Sequence, residues 1–491
     1  MQNRRVLSIW APLQKWPASP AMLAAAIVFC VYLYTLAPTV FPLDSAELTT
    51  AAYTLGLVHA PGYSVYLLLA HWFLYLPVGD VGYRANLFSA LANASTVVLL
   101  TLLIKQISGR SLPALIAGLS FGFCFYAWSV SVIAEVYTFQ GFLLVSLLLL
   151  LWTWRQRGRC KYLLLAVGIA GLSAVNNPAT LLWWPGLLVL AWTTPYRRQL
   201  ALRDSLALVC VFALSLSPVL YLPWRSAAQP AFIYIGHYDT TGTFQPLDLT
   251  QPANLLWYLS GRQFASLFLA YTPVELVVEA VRFLHRLLAA FLGVGLPIGL
   301  WGARMLWRQN RTLASGLVLT MLPHTLFFIA YRALDKDTMF LPVYLVWAVL
   351  VGVGMNELLQ MLPQRVAVVG LLLPLVLFCI NLPFANVNNM WLPHDVAKAR
   401  LRDTTPNAVY LAAWGDAAAM QYHQIEADLR PDVTVVNVFF ARPEVLMSLV
   451  EDTIADGRSV YTTLLEPNLL DHYQFAPVDH GYQIFPIRRK P

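Results

Sequence analysis

Long apolar runs separated by short polar segments dominate the chain up to about residue 383. A run of about 17–25 apolar residues is long enough to cross a bilayer as a helix. The pattern therefore predicts a bundle of membrane-spanning helices, the first of them an uncleaved span rather than a signal peptide. Eleven predicted spans lie near 21–38, 86–104, 112–130, 138–154, 162–175, 180–194, 206–223, 287–303, 312–331, 338–358 and 366–383.

A twelfth apolar run, Tyr63–Leu76, decides the topology. It is interrupted by His71 and bounded by prolines. If it does not cross, the alternate loops on one side are rich in arginine and lysine, and by the positive-inside bias this side faces the cytoplasm. The basic residues of these loops are Arg4, Arg5, Lys15, Lys105, Arg110, Arg155, Arg157, Arg159, Lys161, Arg197, Arg198, Arg203, Arg304, Arg308, Arg311 and Arg365.

In this topology most acidic residues of the membrane domain lie on the side opposite the cytoplasm. The first outer loop, 38–84, holds two of them close together, and the later outer loops hold most of the others. We therefore expect any chemistry at the outer face. The outer acidic residues are Asp44, Glu47, Asp80, Glu135, Asp239, Asp248, Glu275, Glu279, Asp335 and Asp337.

The composition changes from about Phe384, where polar residues become regular. Ala408–Trp414 and Val433–Val438 have the pattern of strands, and Ala417–Leu429 between them has that of a helix. The sequence thus predicts a polytopic α-helical domain over 1–383 and a small α/β domain over 384–491, which the odd number of spans places outside. The turn Gly415–Asp416 is open to two interpretations, a ligand-binding turn or plain helix capping.

Composition supports an integral membrane protein. Hydrophobic residues make up 58% of the chain, charged residues 12%, and the mean hydropathy is +0.61, whereas soluble domains carry about 25% charged residues. The net charge of +7 does not indicate nucleic-acid binding, because no basic stretch alternates with stacking aromatics. The five cysteines lie in apolar runs or among arginines, so we expect no disulfides.

Asp44 and Glu47 in the first outer loop are the first candidates for chemistry. Three residues apart on a helix, they share one face, and two neighbouring carboxylates make a candidate base or metal ligand. The alternative is helix capping, with Asp44 or Ser45 as the cap and Glu47 in the first turn. The segment His59–Ala60–Pro61–Gly62 then ends the helix.

Other outer residues allow both a functional and a structural interpretation. Glu135 lies in a very short loop and reaches either the headgroup layer or a cavity. Arg84 at the start of a span is typical of a membrane anchor. Asn176–Asn177–Pro178 either binds a polar ligand or forms a turn. The segment Asp335–Lys336–Asp337 is interpreted as a solvated turn with internal pairing.

Several segments resemble the GT-C class of membrane glycosyltransferases. Within it the chain is similar to the protein O-mannosyltransferases, and more closely to a related family long catalogued as a domain of unknown function. The resemblance is carried by LDSAELTTAAYTLGLVHAPGY (43–63), YRANLFSALA (83–92), IAEVYTF (133–139), YLPWRSAAQP (221–230) and GDAAAMQYHQIEADLRPDVTVV (415–436).

This resemblance implies an inverting glycosyltransferase that moves a sugar from a polyprenyl-phosphate donor to a hydroxyl acceptor on a protein or glycan. It implies catalytic roles for Asp44, Glu47 and Glu135, and donor-phosphate binding by Arg84 and Arg225. The other expected substrate-binding residues are His59, Tyr63, Tyr137, Asn176 and Asn177. The O-mannosyltransferases have adjacent Asp–Glu and His–Pro–Pro, where this chain has Asp44–x–x–Glu47 and His59–Ala60–Pro61, so the sugar and the base do not carry over.

A divalent ion, Mg or Mn, held by Asp44 and Glu135 is a possible cofactor, since oxygen ligands suit both ions. A flippase or transporter of a lipid or lipid-linked sugar is the alternative function, and it would place ionisable groups near the membrane midplane. A structural assembly factor is a third. Arginine outnumbers lysine 26 to 6, which favours a bacterial inner membrane with the site on the periplasmic side.

Overall fold

The structure is a computed structural model that describes residues 19–42, 44–333, 335–363 and 366–486. The expected cytoplasmic markers Arg4, Arg5, Lys15 and Arg365 lie outside these residues. Up to residue 403 the fold is almost entirely helical. The α-helices of this part are α1 Ser19–Thr35, α2 Ser45–Thr54, α3 Ser64–Phe73, α4 Val81–Ser108, α5 Ser111–Gly122, α6 Phe125–Ser129, α7 Val136–Arg157, α8 Cys160–Asn176, α9 Trp184–Trp192, α10 Leu202–Ser215, α11 Tyr221–Ala228, α12 Pro252–Leu259, α13 Pro273–Ala290, α14 Gly295–Gln309, α15 Arg311–Ile329, α16 Lys336–Met339, α17 Leu341–Gln360, α18 Leu372–Ala385 and α19 Leu392–Asp403.

Shorter elements complete this part of the chain. The 3₁₀ helices are Pro178–Trp183, Pro195–Gln199, Ser217–Leu220, Arg262–Leu267 and Ala367–Leu371. Two short antiparallel strands, β1 Gly236–Tyr238 and β2 Phe244–Pro246, form a hairpin in the long loop after α11.

Three helices form the centre of the bundle. Most of the apolar surface of α4, α7 and α17 is buried, whereas α10 and α18 are largely exposed. The large outward side chains of α10 and α18 are mostly leucines, valines and isoleucines. Because water would not solvate such surfaces favourably, they are the faces that meet lipid. The chain is an integral membrane protein.

Among the residues that the structure describes, six helices, or seven with one bent pair, are long and apolar enough to cross a membrane, and shorter apolar helices accompany them. The predicted span 287–303 is wrong as a single helix, because α13 and α14 meet at 93°. Leu292 and Gly293 adopt left-handed backbone at this bend. The predicted span 112–130 is also interrupted, since α5 ends at Gly122.

Helix α3 has the length of a segment that does not cross. Its ten residues extend about 15 Å, half of the hydrocarbon thickness. The chain before and after α3 meets directly. The Thr39 hydroxyl donates to the Asp80 carboxylate, and the Asn86 amide donates to the carbonyl oxygen of Thr39 at 2.9 Å. Residues 39 and 80 therefore lie on the same side of the bundle.

The C-terminal part contains a five-stranded mixed sheet. Its elements are β3 Val409–Ala412, α20 Trp414–Ala427, β4 Thr434–Asn437, the 3₁₀ helix Val438–Phe440, α21 Pro443–Ala455, β5 Val460–Thr462, α22 Pro467–Leu470, β6 Tyr473–Val478 and β7 Gly481–Pro486. The strand order is β4-β3-β5-β7-β6, with β3 parallel to β4 and β5. The predicted strand–helix–strand unit is thus confirmed. Gly415 and Asp416 lie in the first turn of α20.

Candidate active site

Helix α2 presents two carboxylates at one place on the outer loop. Asp44 immediately precedes the helix, and its side chain makes no capping hydrogen bond. The Ser45 hydroxyl instead accepts from the amide of Phe41 at 3.2 Å. The capping interpretation therefore does not describe Asp44, whose carboxylate is available to other partners.

Glu47 is completely buried and holds His59. One carboxylate oxygen of Glu47, Oε1, accepts from the His59 backbone amide at 2.7 Å and lies 2.9 Å from His59 Nδ1. The other imidazole nitrogen, Nε2, lies 3.7 Å from Asp44 Oδ2. It also lies 3.4 Å from the Tyr63 hydroxyl. The imidazole thus bridges two carboxylates, a Glu–His–Asp arrangement in which Glu47 orients the ring.

Distant segments fix the turn that carries His59. The Ala60 amide donates to Gln263 Oε1 at 3.0 Å, and the Tyr258 hydroxyl donates to the Val58 carbonyl at 2.5 Å. Gly62 has φ +94°, and a Cβ there would lie 2.7 Å from the Tyr258 ring. Only glycine suits this position. The outer segment 252–267 therefore holds the imidazole in place.

Burial and the neighbouring charges act in opposite directions on the pKa values of His59 and Asp44. Burial alone would lower the pKa of His59, but the Glu47 and Asp44 carboxylates outweigh burial and raise it to about 9. Burial raises the pKa of Asp44, while the His59 charge acts in the opposite direction. His59 is therefore an imidazolium beside Glu47, and the carboxyl group of Asp44 is less acidic than usual. Such an Asp44 is better suited to accept a proton than a solvated aspartate.

Two further acids face the same region. Glu135 precedes α7, and one of its carboxyl oxygens is buried without a hydrogen-bond partner. Burial raises its pKa, and so do the nearby charges of Asp44 and Asp335. The pKa of Asp335 is likewise raised by burial, then by Asp44. Asp44 and Glu47 thus contact the His59 imidazole, and Glu135 and Asp335 lie near enough for their charges to act on Asp44. We call these five residues the acidic cluster.

The predicted substrate-binding residues divide into two groups. Tyr63 and Tyr137 are buried beside the acidic cluster. The amide oxygen of Asn176 accepts from the Tyr66 backbone at 2.9 Å and so positions the start of α3. The side chain of Asn177 accepts from the Ala179 amide at 2.9 Å. This contact of Asn177 agrees with its interpretation as a turn residue.

Arg84 and Arg225 contact helix ends instead of the acidic cluster. The Arg84 guanidinium donates to the carbonyls of Leu74, at the end of α3, and of Gly79 at 3.4 Å. Arg225 donates to the carbonyls of Leu55 at 2.5 Å and Thr54 at 3.3 Å, at the end of α2. Cations at helix C-termini stabilise unpaired carbonyls. A role of either arginine in phosphate binding stays a prediction.

A basic cleft lies next to the acidic cluster. Its volume is about 510 Å³, and four cations line it: Arg282, Arg286, Arg332 and Lys336. Lys336 is 3% exposed and forms an ion pair with the buried Glu279. Arg282 bonds to the same Glu279 at 2.5 Å. Glu275, which pairs with Arg332 at 3.1 Å, also lines the cleft, so the four cations exceed the two lining carboxylates and leave positive charge for an anionic ligand.

The interpretation of Asp335–Lys336–Asp337 as a solvated, internally paired turn is wrong. Lys336 is buried, and Asp337 pairs with Arg286 at 2.6 Å. Lys336 also donates to the Tyr271 hydroxyl at 2.9 Å. Its partners come from α13 and the segment before it, which no sequence pattern linked to this turn. The turn joins the basic cleft, through Lys336, to the acidic cluster, through Asp335.

Within the described part of the chain, the group of residues able to hold a metal ion is Asp44, Glu47 and His59, whose ligand atoms lie within 4.8 Å of one another. This set differs from the predicted pair Asp44 and Glu135, because Glu47 and His59 occur in it and Glu135 does not. Two carboxylates and an imidazole suit Mn or Zn better than Mg, which prefers oxygen ligands. Metal binding stays a prediction.

A segment in the N-terminal part of the chain matches a known family. Residues 44–200 match the family described as Protein O-mannosyl-transferase TMEM260 N-terminal domain. The mouse Protein O-mannosyl-transferase TMEM260 is 27% identical over 455 residues, which are 84% of this chain and 61% of the mouse protein. Over these residues the chain is similar to that family. It spans 61% of the length of that relative.

Two solved structures are similar in fold over nearly the whole chain. ArnT from Cupriavidus metallidurans bound to undecaprenyl phosphate has a TM-score of 0.60 at 11% identity, covering 96% of this chain and 98% of ArnT. ArnT in the apo state has a TM-score of 0.57 at 12% identity, with 94% and 96% covered. At these identities the match shows the fold, and the expected GT-C-like fold is confirmed.

Proposed function

We propose that this protein is a glycosyltransferase that moves a sugar from a polyprenyl-phosphate donor to a hydroxyl group at the outer membrane face. The observation that carries the proposal is the acidic cluster with the basic cleft beside it. Attack of a hydroxyl on an anomeric carbon needs a base, and departure of the phosphate needs positive charge. The two neighbouring sites supply both.

Asp44 is the base in this proposal. The acceptor hydroxyl gives its proton to Asp44 as its oxygen bonds to the anomeric carbon, while the bond from that carbon to the donor phosphate breaks and its electron pair passes to the phosphate oxygen. Glu47 and His59 hold Asp44 in a charged environment. A single displacement of this kind inverts the anomeric carbon, in agreement with the expected inverting chemistry.

The basic cleft is the proposed site of the donor phosphate. Helix α13 borders it, and the valines of α13 are exposed beside the arginines. A helix with an apolar face and a basic face lies at a membrane surface. There it offers charge to a phosphate and apolar surface to the first isoprene units of the lipid. Arg282 and Arg286 thus take the role that the sequence suggested for Arg84 and Arg225.

Names of the relatives guide the choice of substrate. The mouse relative is named a protein O-mannosyltransferase, and ArnT was solved with undecaprenyl phosphate. We therefore propose a polyprenyl-phosphate mannose as the first donor to test and a protein hydroxyl as the first acceptor, with a glycan acceptor as the alternative. The preference for arginine over lysine supports a bacterial inner membrane and a periplasmic site.

The flippase alternative lacks support. Across the described residues, the titratable cluster occupies loops and helix starts instead of the middle of a span. Comparison with known proteins also favours transfer. The mouse relative is named a protein O-mannosyltransferase, and ArnT shares the fold of this chain.

The test is an assay of the purified protein with radiolabelled polyprenyl-phosphate sugars and a mixture of acceptor peptides. Transfer by the wild-type protein, with loss in Asp44→Asn, supports the proposal. Movement of the donor across vesicles without release of the sugar would replace it with the flippase function. Repeating the assay with a chelator, then with Mn, Zn or Mg added back, tests whether a metal ion takes part.

A further inference from the structure

The edge of the C-terminal sheet reaches the acidic cluster. Strands β3 and β4 are parallel neighbours, so their carboxyl ends lie together. Trp414 follows the first strand, and Phe439 and Phe440 follow the second. The carboxyl edge of parallel strands is where α/β folds commonly place the residues that act on ligands. Here this edge faces helix α2 of the membrane domain.

Trp414 contacts Glu47 directly. Its indole nitrogen donates a hydrogen bond to Glu47 Oε2 at 3.0 Å, across 367 positions of sequence. Glu47 has no exposed surface. Its other oxygen accepts from the amide and ring of His59. A buried carboxylate that loses one of so few donors would reorient or change its charge.

Aromatic contacts from both parts of the chain fix the indole. The Trp414 ring meets the His59 ring edge-on, with centroids 5.6 Å apart. It also meets Tyr234 at 4.9 Å and Phe439 at 5.0 Å. The Tyr234 hydroxyl donates to the Trp414 carbonyl oxygen. The direction of the indole N–H is therefore set by packing rather than by Glu47 alone.

We propose that Trp414 is a positioning residue of the active site and that the C-terminal domain thereby completes the catalytic centre. This inference rests on the proposed glycosyltransferase function. Trp414 holds Glu47, Glu47 orients the His59 ring, and His59 Nε2 faces the base Asp44. The Trp414 side chain is also a hydrogen-bond partner of Asp44. Trp414 itself touches neither the sugar nor the phosphate. The C-terminal domain is then a working part of the enzyme and not an accessory.

Trp414→Phe tests the inference, because phenylalanine keeps an aromatic ring and removes the N–H. We expect kcat to fall about 10- to 100-fold, the effect of losing a hydrogen bond to a charged group. The donor KM should stay within about twofold, since the basic cleft is untouched. Trp391→Phe is the matched control: it is another outer tryptophan, packed on His394 at 5.8 Å, and it should keep full activity.

A double-mutant cycle separates positioning from a structural role. If Trp414 acts through Glu47, Trp414→Phe in the Glu47→Gln background lowers kcat by less than about twofold further. Losses that multiply would show that Trp414 acts independently of Glu47 and would overturn the route through Glu47. Thermal melting of each variant identifies unfolded preparations.

A second variant keeps the test decisive if Trp414→Phe does not fold. Tyr234→Phe removes only the hydroxyl that holds the Trp414 carbonyl, and it should lower kcat with an unchanged donor KM. Wild-type kcat values in both folded variants refute the role of Trp414. Because the wild-type protein is measured in the same assay, absence of any transfer refutes the proposed function instead.

Discussion

At the residue scale, the site depends on which partner each carboxylate has. Asp44 makes no capping hydrogen bond, and Glu47 is bonded to His59 and Trp414 rather than back to the start of α2. Capping and catalysis were both compatible with the spacing Asp44–x–x–Glu47. The contacts favour catalysis, because they leave Asp44 beside an imidazole in a site that excludes much of the water.

Asp44→Asn should lower the rate of sugar transfer by about 10²–10⁴-fold, because it removes the base and keeps the size of the side chain. Asp44→Ala should change the melting temperature little, since no capping bond is lost. A capping residue would behave in the opposite way, with a silent Asn variant and an Ala variant destabilised by about 1 kcal/mol. Initial transfer rates and thermal melting in detergent distinguish the two.

The charge of His59 predicts a pH dependence. Its pKa is raised from 6.5 to about 9 by the two carboxylates, so its ion pairs are complete below about pH 6.5 and are lost as the pH rises through about 9. Both kcat and the melting temperature should therefore decline as the pH approaches 9. Glu47→Gln removes the contacting carboxylate and should move the decline to lower pH. A decline at the same pH in this variant would assign it to another group.

At the element scale, arginines that the sequence suggested for phosphate binding occupy helix ends, and a turn interpreted as solvated is buried. Helix α13 explains the difference. The predicted span 287–303 includes only the last four residues of α13, and the 93° bend before α14 separates α13 from the direction of α14. Three of the four cations of the cleft lie within α13 and α16, so their convergence depends on this bend.

Arg286→Gln should raise the donor KM about tenfold, the effect of losing one charge-assisted phosphate contact. Arg84→Gln should instead destabilise the fold by about 1 kcal/mol through the end of α3 and leave the donor KM unchanged. Arg304→Gln, on the predicted cytoplasmic side, is the control for loss of charge. The reverse pattern, with a donor defect in Arg84→Gln alone, would return phosphate binding to Arg84. In that case Arg84→Lys should retain more activity than Arg84→Ala.

At the scale of the whole molecule, sequence patterns predicted the site residues that lie within one segment. They did not predict the site residues that folding brings in from distant segments. Asp44, Glu47 and His59 lie within sixteen residues, and their spacing on a helix and its terminal turn suggested a site. Trp414 and Lys336 reach the same region from hundreds of residues away. A tryptophan after a strand and a lysine between two aspartates have ordinary structural explanations. Only the tertiary fold shows that they converge.

Trp414 and the first outer loop lie on the same side of the membrane, because they are in contact. The side itself is predicted from the arginine and lysine bias to be extracytoplasmic. Single cysteines introduced at exposed positions, after replacement of the five native cysteines, test this in intact spheroplasts with an impermeant thiol reagent. Val78→Cys, Thr241→Cys and Glu426→Cys should react, and Gln156→Cys, on the predicted cytoplasmic side, only after lysis.

Val78→Cys carries the most information of these four. It follows α3 and is 43% exposed, so its labelling reports whether this ten-residue helix crosses. Labelling at Val78 together with Thr241 agrees with a helix that stays on the outer side. Protection at Val78 with labelling at Thr241 would mean that α3 crosses, which the contact between Thr39 and Asp80 opposes. Labelling at Gln156 alone would invert the whole topology and place the acidic cluster in the cytoplasm, where the proposed periplasmic reaction could not occur.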